Sequence, residues 1–112
     1  MSFPLYDRLS KNVSNKDLTL KEKNLFLESI KNIDNNGSEL VYVLIKFDSM
    51  NNNVNQNIIP YEGKQKNINN NNSDISWSLS KIPNKLKQIL LNFLKMHVIN
   101  MREEKERILD KL

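Results

Sequence analysis

The residue types that most often catalyse reactions or bind metal ions are few in this sequence. His97 is the single histidine, and the chain contains no cysteine and only two glycines, which leaves no phosphate-binding glycine loop. Ser76, Ser78 and Ser80 have no flanking glycine elbow and no evident base. Because catalysis needs several groups that act together, we predict a protein that is not an enzyme and that uses no cofactor or metal ion.

The chemistry that the sequence does offer is backbone hydrogen bonding along residues 74–79. In this D-I-S-W-S-L segment Ile75, Trp77 and Leu79 alternate with polar residues. A period of two is typical of a short, half-buried strand. A lone strand must pair with something or leave its N–H and C=O groups to water. We therefore interpret this strand, predicted to be unpaired, as the main functional feature.

The first long helix is predicted over residues 19–33. Thr19 and Glu22 form a capping box, in which each side chain bonds to the backbone N–H of the other residue. Its inner face is predicted to consist of Leu20, Lys23, Phe26, Leu27, Ile30 and Ile33. Gly37 is expected to follow the helix with a positive φ, which glycine adopts without steric cost.

The second helix is predicted over residues 38–50, with Ser38 as its N-cap. A strand around residues 41–43 is the competing interpretation. This helix is apolar on more than one side, so we expect it to touch several neighbours or to leave a groove for a ligand.

The third helix is predicted from residue 82 towards residue 112, with Pro83 in its first turn. Its apolar stripe is Leu86, Ile89, Leu90, Phe93 and Leu94. Beyond the core, a charged arm carries a second apolar patch that suggests a partner helix or self-association. The candidates for self-association are Met101, Ile108, Leu109 and Leu112.

These elements predict a mainly α fold: a small three-helix bundle with one short strand segment before the last, long helix. Residues 1–17 form an N-terminal segment with a short helical turn, residues 18–97 the domain, and residues 98–112 a charged helical extension. Residues 51–73 form an asparagine-rich loop, in which Pro60 and Gly63 bracket a turn. Tyr61 and Ile59 are expected to pin the loop to the bundle or to pair with the strand.

The net charge of +4 mildly favours polyanions, but the lysines are scattered among acidic residues. Binding of nucleic acid through Lys81, Lys85, Lys87 and Lys95 is therefore the weaker alternative. No apolar run approaches the roughly 18 residues of a membrane span, and the N-terminus lacks the features of a signal peptide. We expect an intracellular protein that does not bind membranes.

Three segments together resemble the NET (extraterminal) domain of BET chromatin adaptors. Residues 18–23 are similar to its opening leucine, polar cap and Glu-Lys pair, residues 39–45 to its second helix, and residues 74–79 with the start of the last helix to its strand and final helix. The resemblance covers roughly residues 18–97. The arrangement, with its asparagine tracts, also resembles small proteins of giant DNA viruses.

The resemblance implies a transcription or chromatin adaptor, in the nucleus or, for a viral protein, in the viral factory or virion. NET domains bind short basic-apolar peptides, which add a strand to the lone strand and place apolar side chains in a cleft between the last two helices. By position, main-chain bonds would come from Asp74, Ile75, Ser76, Trp77, Ser78 and Leu79. The implied cleft walls are Val43, Leu44, Phe47, Leu90 and Phe93.

The chain departs from the NET pattern in the strand, where Ser76 and Ser78 replace the family's alternating carboxylates. Selection of lysine-rich peptides should therefore be weaker than in the family. The loop is longer, and the chain contains no bromodomain. The remaining hypotheses are a basic nucleic-acid-binding protein and a structural protein that forms a homodimer through its C-terminal helix.

Overall fold

The structure, a computed structural model, describes residues 3–11, 13–51, 60–67 and 73–110. The described helices are α1 (Pro4–Ser10), α2 (Leu20–Asn32), α3 (Asn35–Asn51) and α4 (Asn84–Asp110). Two short strands, β1 (Lys64–Asn67) and β2 (Ser73–Ser76), and two 3-10 turns, Pro60–Glu62 and Leu79–Lys81, lie between α3 and α4. The predicted mainly helical fold, with strand before a long last helix, is confirmed.

Helix α2 begins as its sequence predicts. The Thr19 hydroxyl accepts from the N–H of Glu22 at 3.2 Å, and the Glu22 carboxylate accepts from the N–H of Thr19 at 2.9 Å. Phe26 is buried, and Ile30 and Ile33 pack against the core. The prediction was wrong for Leu20 and Leu27, which are exposed because α2 turns a narrower stripe towards the bundle than its apolar content suggests.

Helix α3 begins earlier than its sequence predicts. The carboxylate of Asp34 accepts from the N–H of Gly37 at 2.8 Å, which makes Asp34 the cap of the helix. Ser38 is therefore not the N-cap, and Gly37 lies inside the helix without a positive φ. Glycine is needed there for space, because a Cβ would lie 2.8 Å from the ring of His97. The strand alternative at residues 41–43 is also wrong.

Helix α4 spans the bundle and carries the centre of the core. All five residues of its predicted stripe are buried with at most 1% exposed: Leu86, Ile89, Leu90, Phe93 and Leu94. The helix packs against α1, α2 and α3 and is about 40 Å long at 1.5 Å per residue. Among the described residues, no helix is both long and apolar enough to cross a lipid bilayer.

The N-terminal segment is fastened to this bundle. Helix α1 buries Tyr6 and Leu9 in the core. Further along, Asp17 accepts from the buried ammonium of Lys87 at 2.7 Å and forms an ion pair with Lys23 at 3.2 Å. Hydrogen bonds from these two lysines lower the pKa of Asp17 to about 2. The segment before α2 is therefore held by charge pairing as well as by apolar contacts.

The strand that was predicted to stand alone is paired within the molecule. Strand β2 forms an antiparallel ladder with β1, in which Lys64 is opposite Ser76 and Lys66 is opposite Asp74. Loop pairing with the strand was expected only as an alternative, through Ile59 and Tyr61. Residues 64–67 were not considered, because Lys and Asn are poor strand formers and β1 has no apolar alternation. Within the described ranges, the sheet contains only these two strands, so the second edge of β2 pairs with no other strand.

The contact between Gly37 and His97 predicts a conditional effect of adding a methyl group. We expect Gly37→Ala to lower the free energy of unfolding by about 1–3 kcal/mol, because the Cβ overlaps the imidazole. In a His97→Ala background the same change should be neutral or stabilising, since alanine is the better helix former. Chemical denaturation of the four proteins in this double-mutant cycle measures the difference. Equal costs in the two backgrounds would contradict the steric account.

The pairing of Asp17 predicts a specific acid dependence of stability. The folded-state pKa of Asp17, about 2, lies below its ordinary value of 3.8, so its stabilisation is present above pH 3.8 and disappears as the pH falls towards 2. The difference in unfolding free energy between wild type and Asp17→Asn should therefore shrink over that window. Denaturation at several pH values measures it, with Glu103→Gln on the exposed arm as control. Parallel pH curves for wild type and Asp17→Asn would refute the prediction.

Candidate functional site

An apolar groove lies between α2, α3 and the chain that leaves β2; we call it the α2–α3 groove. Its outer part encloses about 370 Å³ and its inner part about 140 Å³. Ile30, Val41 and Trp77 line both parts, so the two parts adjoin. The outer part is completed by Ile33, Ser38, Tyr42 and Ile75. The inner part is completed by Phe26, Leu27, Ile45, Leu79, Ile82 and Leu90.

Trp77 forms the wall of the groove next to the strand. Its indole N–H donates to the carbonyl of Pro60 at 2.7 Å, a bond between residues 17 positions apart. Its ring lies 6.1 Å from that of Tyr42, centroid to centroid, and the two rings are tilted by 46°. The polar end of the indole is thus satisfied inside the molecule, while its apolar body is presented to the groove.

The Pro60 carbonyl belongs to a tight turn in an unusual backbone conformation. The N–H of Gly63 donates to the Pro60 carbonyl at 3.2 Å, as predicted for a turn bracketed by these residues. Tyr61 and Glu62 have φ values of 56° and 57°. Residues with a Cβ seldom adopt this left-handed region, and each such residue costs roughly 1–2 kcal/mol. Surrounding contacts must hold the turn in place.

Asp48 of α3 supplies one of these contacts. Its carboxylate, 3% exposed, accepts from the hydroxyl of Tyr61 at 2.6 Å and from that of Tyr6 at 2.5 Å. Tyr61 therefore pins the loop to the bundle, as one of the two sequence alternatives predicted. Burial and the hydrogen bond to Asp48 raise the pKa of Tyr6 above its ordinary value, so its hydroxyl stays protonated and donates.

The residues predicted to supply main-chain bonds lie in three different settings. Asp74, Ile75 and Ser76 are in β2, which ends at Ser76 rather than at residue 79. Ile75 and Trp77 both line the groove, so one face of this segment is turned towards it. Trp77, Ser78 and Leu79 lie beyond the strand. Ser78 is exposed, and its hydroxyl lies 3.1 Å from that of Ser80, whereas Leu79 begins a 3-10 turn.

Most of the predicted cleft walls lie elsewhere. Leu44, Phe47 and Phe93 are core residues that do not line the groove, and Leu90 reaches only its inner part. Val43 is 43% exposed but is not among the lining residues. The groove next to β2 therefore lies between α2 and α3. A peptide-binding role for the five residues stays a prediction.

The sequence prediction missed the walls that α2 and α3 contribute to the groove, and it missed the buried acid Asp48. Ile30 and Ile33 were assigned to the inner face of a helix and Tyr42 only to the competing strand at residues 41–43, although the helix over residues 38–50 was expected to leave a groove. Asp48 was not singled out, because an aspartate near a helix end usually indicates a solvated surface. Its position seven residues after Val41, on the same helix face, was the available signal.

The C-terminal arm of α4 extends past the core with its apolar residues uncovered. Ile108 and Leu109 are exposed, and Met101 is partly buried. These three residues, with Asp34, Glu104 and Lys105, line a shallow depression along the arm. Leu112 lies outside the described residues. A homodimer through this surface is not tested by the structure.

The positive charges proposed for nucleic-acid binding do not form a patch. Lys87 is buried and paired with Asp17, and Lys81 lies 3.4 Å from Glu62. Lys85 and Lys95 are exposed.

His97 is at an inner position, where Nε2 lies 2.8 Å from the Asp34 carboxylate and the ring stacks on Phe93. In the part of the chain that the structure describes, no cluster of three or more His, Asp or Glu residues could hold a metal ion.

Comparisons with known proteins identify no relative. No protein-family model matches the chain, and neither a curated protein nor a solved structure matches it.

Proposed function

We propose that this protein is a non-catalytic binding module that captures a short basic-apolar peptide by strand addition to β2. The observation that carries the proposal is the position of β2, one face of which continues into the α2–α3 groove through Ile75 and Trp77. A peptide that adds to a sheet edge gains main-chain hydrogen bonds and uses neighbouring pockets for specificity.

The geometry of a sheet favours a ligand in this position. Within the described residues, the backbone of β2 forms hydrogen bonds to no element other than β1. A strand added to the remaining edge places alternate side chains on the same face as Ile75 and Trp77. Apolar side chains of the peptide would then enter the groove, and the intervening residues would point away from it.

The basic character of the peptide is supported by the chain's own strand β1. This K-Q-K-N segment pairs with β2 so that Lys66 is opposite Asp74. A lysine-bearing strand is therefore already paired along one edge of β2. A lysine-bearing peptide on the second edge would meet the same strand, whose sequence contains one carboxylate and therefore provides modest charge selection.

The biological context rests on the NET resemblance alone. It suggests an adaptor in transcription or chromatin, acting in the nucleus, or in a viral factory or virion for a viral protein. Nucleic-acid binding is the alternative, and its affinity would fall steeply with salt because each neutralised phosphate releases counterions. Backbone pairing of a peptide depends much less on salt.

Filling the groove with a charged side chain should block the peptide. We expect Ser38→Arg, at the exposed rim of the groove, to weaken binding of a synthetic peptide of alternating lysine and leucine by at least about tenfold. The matched control is Asn36→Arg, which adds the same charge to the same helix at an exposed position outside the groove. Isothermal titration calorimetry measures the peptide affinity of wild type and of both variants, and repeating it at low and high salt measures how strongly that affinity depends on salt.

Three results would contradict the proposal. They are equal affinities of the two arginine variants, undiminished binding of a peptide N-methylated at alternate residues, and a steep salt dependence with tighter binding to DNA or RNA.

Self-association through the arm of α4 is a second candidate, favoured by the exposure of Ile108 and Leu109 at 54% and 59%. Burying an aliphatic side chain contributes roughly 1.5–3 kcal/mol, so replacing both by serine should abolish a dimer. Sedimentation velocity should show concentration-dependent association for wild type and for the control Glu103→Ser, but not for Ile108→Ser/Leu109→Ser. Identical sedimentation of all three proteins would exclude this interface.

A further inference from the structure

We propose that Asp48 and Tyr61 are positioning residues for the α2–α3 groove. Asp48 holds the Pro60–Glu62 turn through Tyr61, and the turn holds Trp77, which is a wall of the groove. The predicted effect on peptide affinity rests on the proposed function. The predicted effect on the fluorescence of Trp77 does not depend on that function, because it can be measured in the unliganded protein.

The side chain of Tyr61 is anchored by the buried carboxylate of Asp48. A carboxylate removed from water must have its oxygens hydrogen-bonded, since an unsatisfied buried charge is costly. Oδ2 of Asp48 accepts from Tyr61 and Oδ1 accepts from Tyr6. Hydrogen bonds to a charged acceptor are stronger than those between neutral groups, so the Tyr61 side chain is held firmly.

The bond from Tyr61 to Asp48 holds a strained backbone turn in place. Tyr61 and Glu62 are two successive residues with positive φ, and neither is a glycine. Such a turn relaxes towards commoner conformations when the contacts that fix it are removed. The bond from Tyr61 to Asp48 joins the strained turn to the rigid helix α3, and Pro60 at the start of the turn is buried.

The position of the turn determines the position of Trp77 in the groove wall. The Pro60 carbonyl accepts the indole N–H of Trp77, so a displaced turn leaves that donor without its partner or moves the ring with it. Trp77 lies between the turn and Tyr42 and lines both parts of the groove. The shape of the groove therefore depends on an acid that does not line it.

Tyr6 provides a matched control within the same cluster. Its hydroxyl donates to the same carboxylate, but it lies on α1, and its ring packs 4.8 Å from that of Phe47 in the core. Tyr6→Phe and Tyr61→Phe each remove one hydroxyl from Asp48. Only the second change interrupts the connection to Trp77.

The experiment uses Trp77 as a probe, because it is the only tryptophan in the chain. Circular dichroism first establishes that both variants are folded. We then expect Tyr61→Phe to shift the fluorescence emission of Trp77 to longer wavelength and to increase the quenching of that fluorescence by acrylamide. Tyr6→Phe should leave both quantities as in wild type. Affinity for the lysine-leucine peptide should fall about tenfold in Tyr61→Phe and change less than about twofold in Tyr6→Phe.

A second variant separates positioning from a general loss of stability. Asparagine tolerates the left-handed conformation better than glutamate does, so adding Glu62→Asn to Tyr61→Phe should return the emission towards wild type. Equal spectra for the two tyrosine variants, or no effect of Tyr61→Phe on Trp77, would overturn the proposal. Spectra that differ as expected without any peptide binding would support the positioning role and overturn the proposed function instead.

Discussion

The hydrogen bond between the Trp77 indole and the Pro60 carbonyl joins the two ends of the hairpin, and the bond from Tyr61 to Asp48 fastens that junction to α3. A two-stranded hairpin is at best marginally stable in water. The polar sequence of β1 adds no apolar alternation that would bury the hairpin against the helices. Position must therefore come from the ends of the hairpin, where Pro60, Tyr61 and Trp77 contact the bundle.

Helix α4 explains why the open surface lies where it does. It packs against each of the other described helices, and its apolar stripe is almost completely enclosed. The lean composition leaves little apolar surface to cover the far sides of α2 and α3. Ile30, Ile33 and Tyr42 consequently border a groove, and Leu27 is exposed. This apolar groove lies beside an edge of β2 that pairs with no other strand among the described residues, and the proposed peptide would use both features.

Local patterns predicted the helices well. The capping box of α2 depends on residues three positions apart, and the stripe of α4 on spacing along one helix, so both are recognisable in sequence. The contacts that shape the site join residues distant in the chain. The pairing of β1 with β2 uses backbone groups that every residue offers, and the ring of His97 that requires Gly37 lies 60 positions away. Neither leaves a periodic signal.

In the candidate site, too, local features were predicted from the sequence and contacts between distant residues were not. Segment 74–79 was correctly predicted to contain a strand, because alternation is local. Its partner strand, its end at Ser76 and the groove walls that α2 and α3 supply were not predicted, since they depend on how α2, α3 and the loop meet. Leu44 and Phe93 show the limit of such reasoning: their apolar character is evident in the sequence, but their burial in the core depends on how α3 and α4 pack.

Amide hydrogen exchange along Ser73–Ser76 tests the central claim most directly. Successive N–H groups of a strand point to opposite edges, so in the unliganded protein one alternate set is protected by β1 and the other exchanges quickly. We predict that a saturating basic-apolar peptide slows the second set and leaves the first protected. Peptide binding without slower exchange in that second set would contradict strand addition.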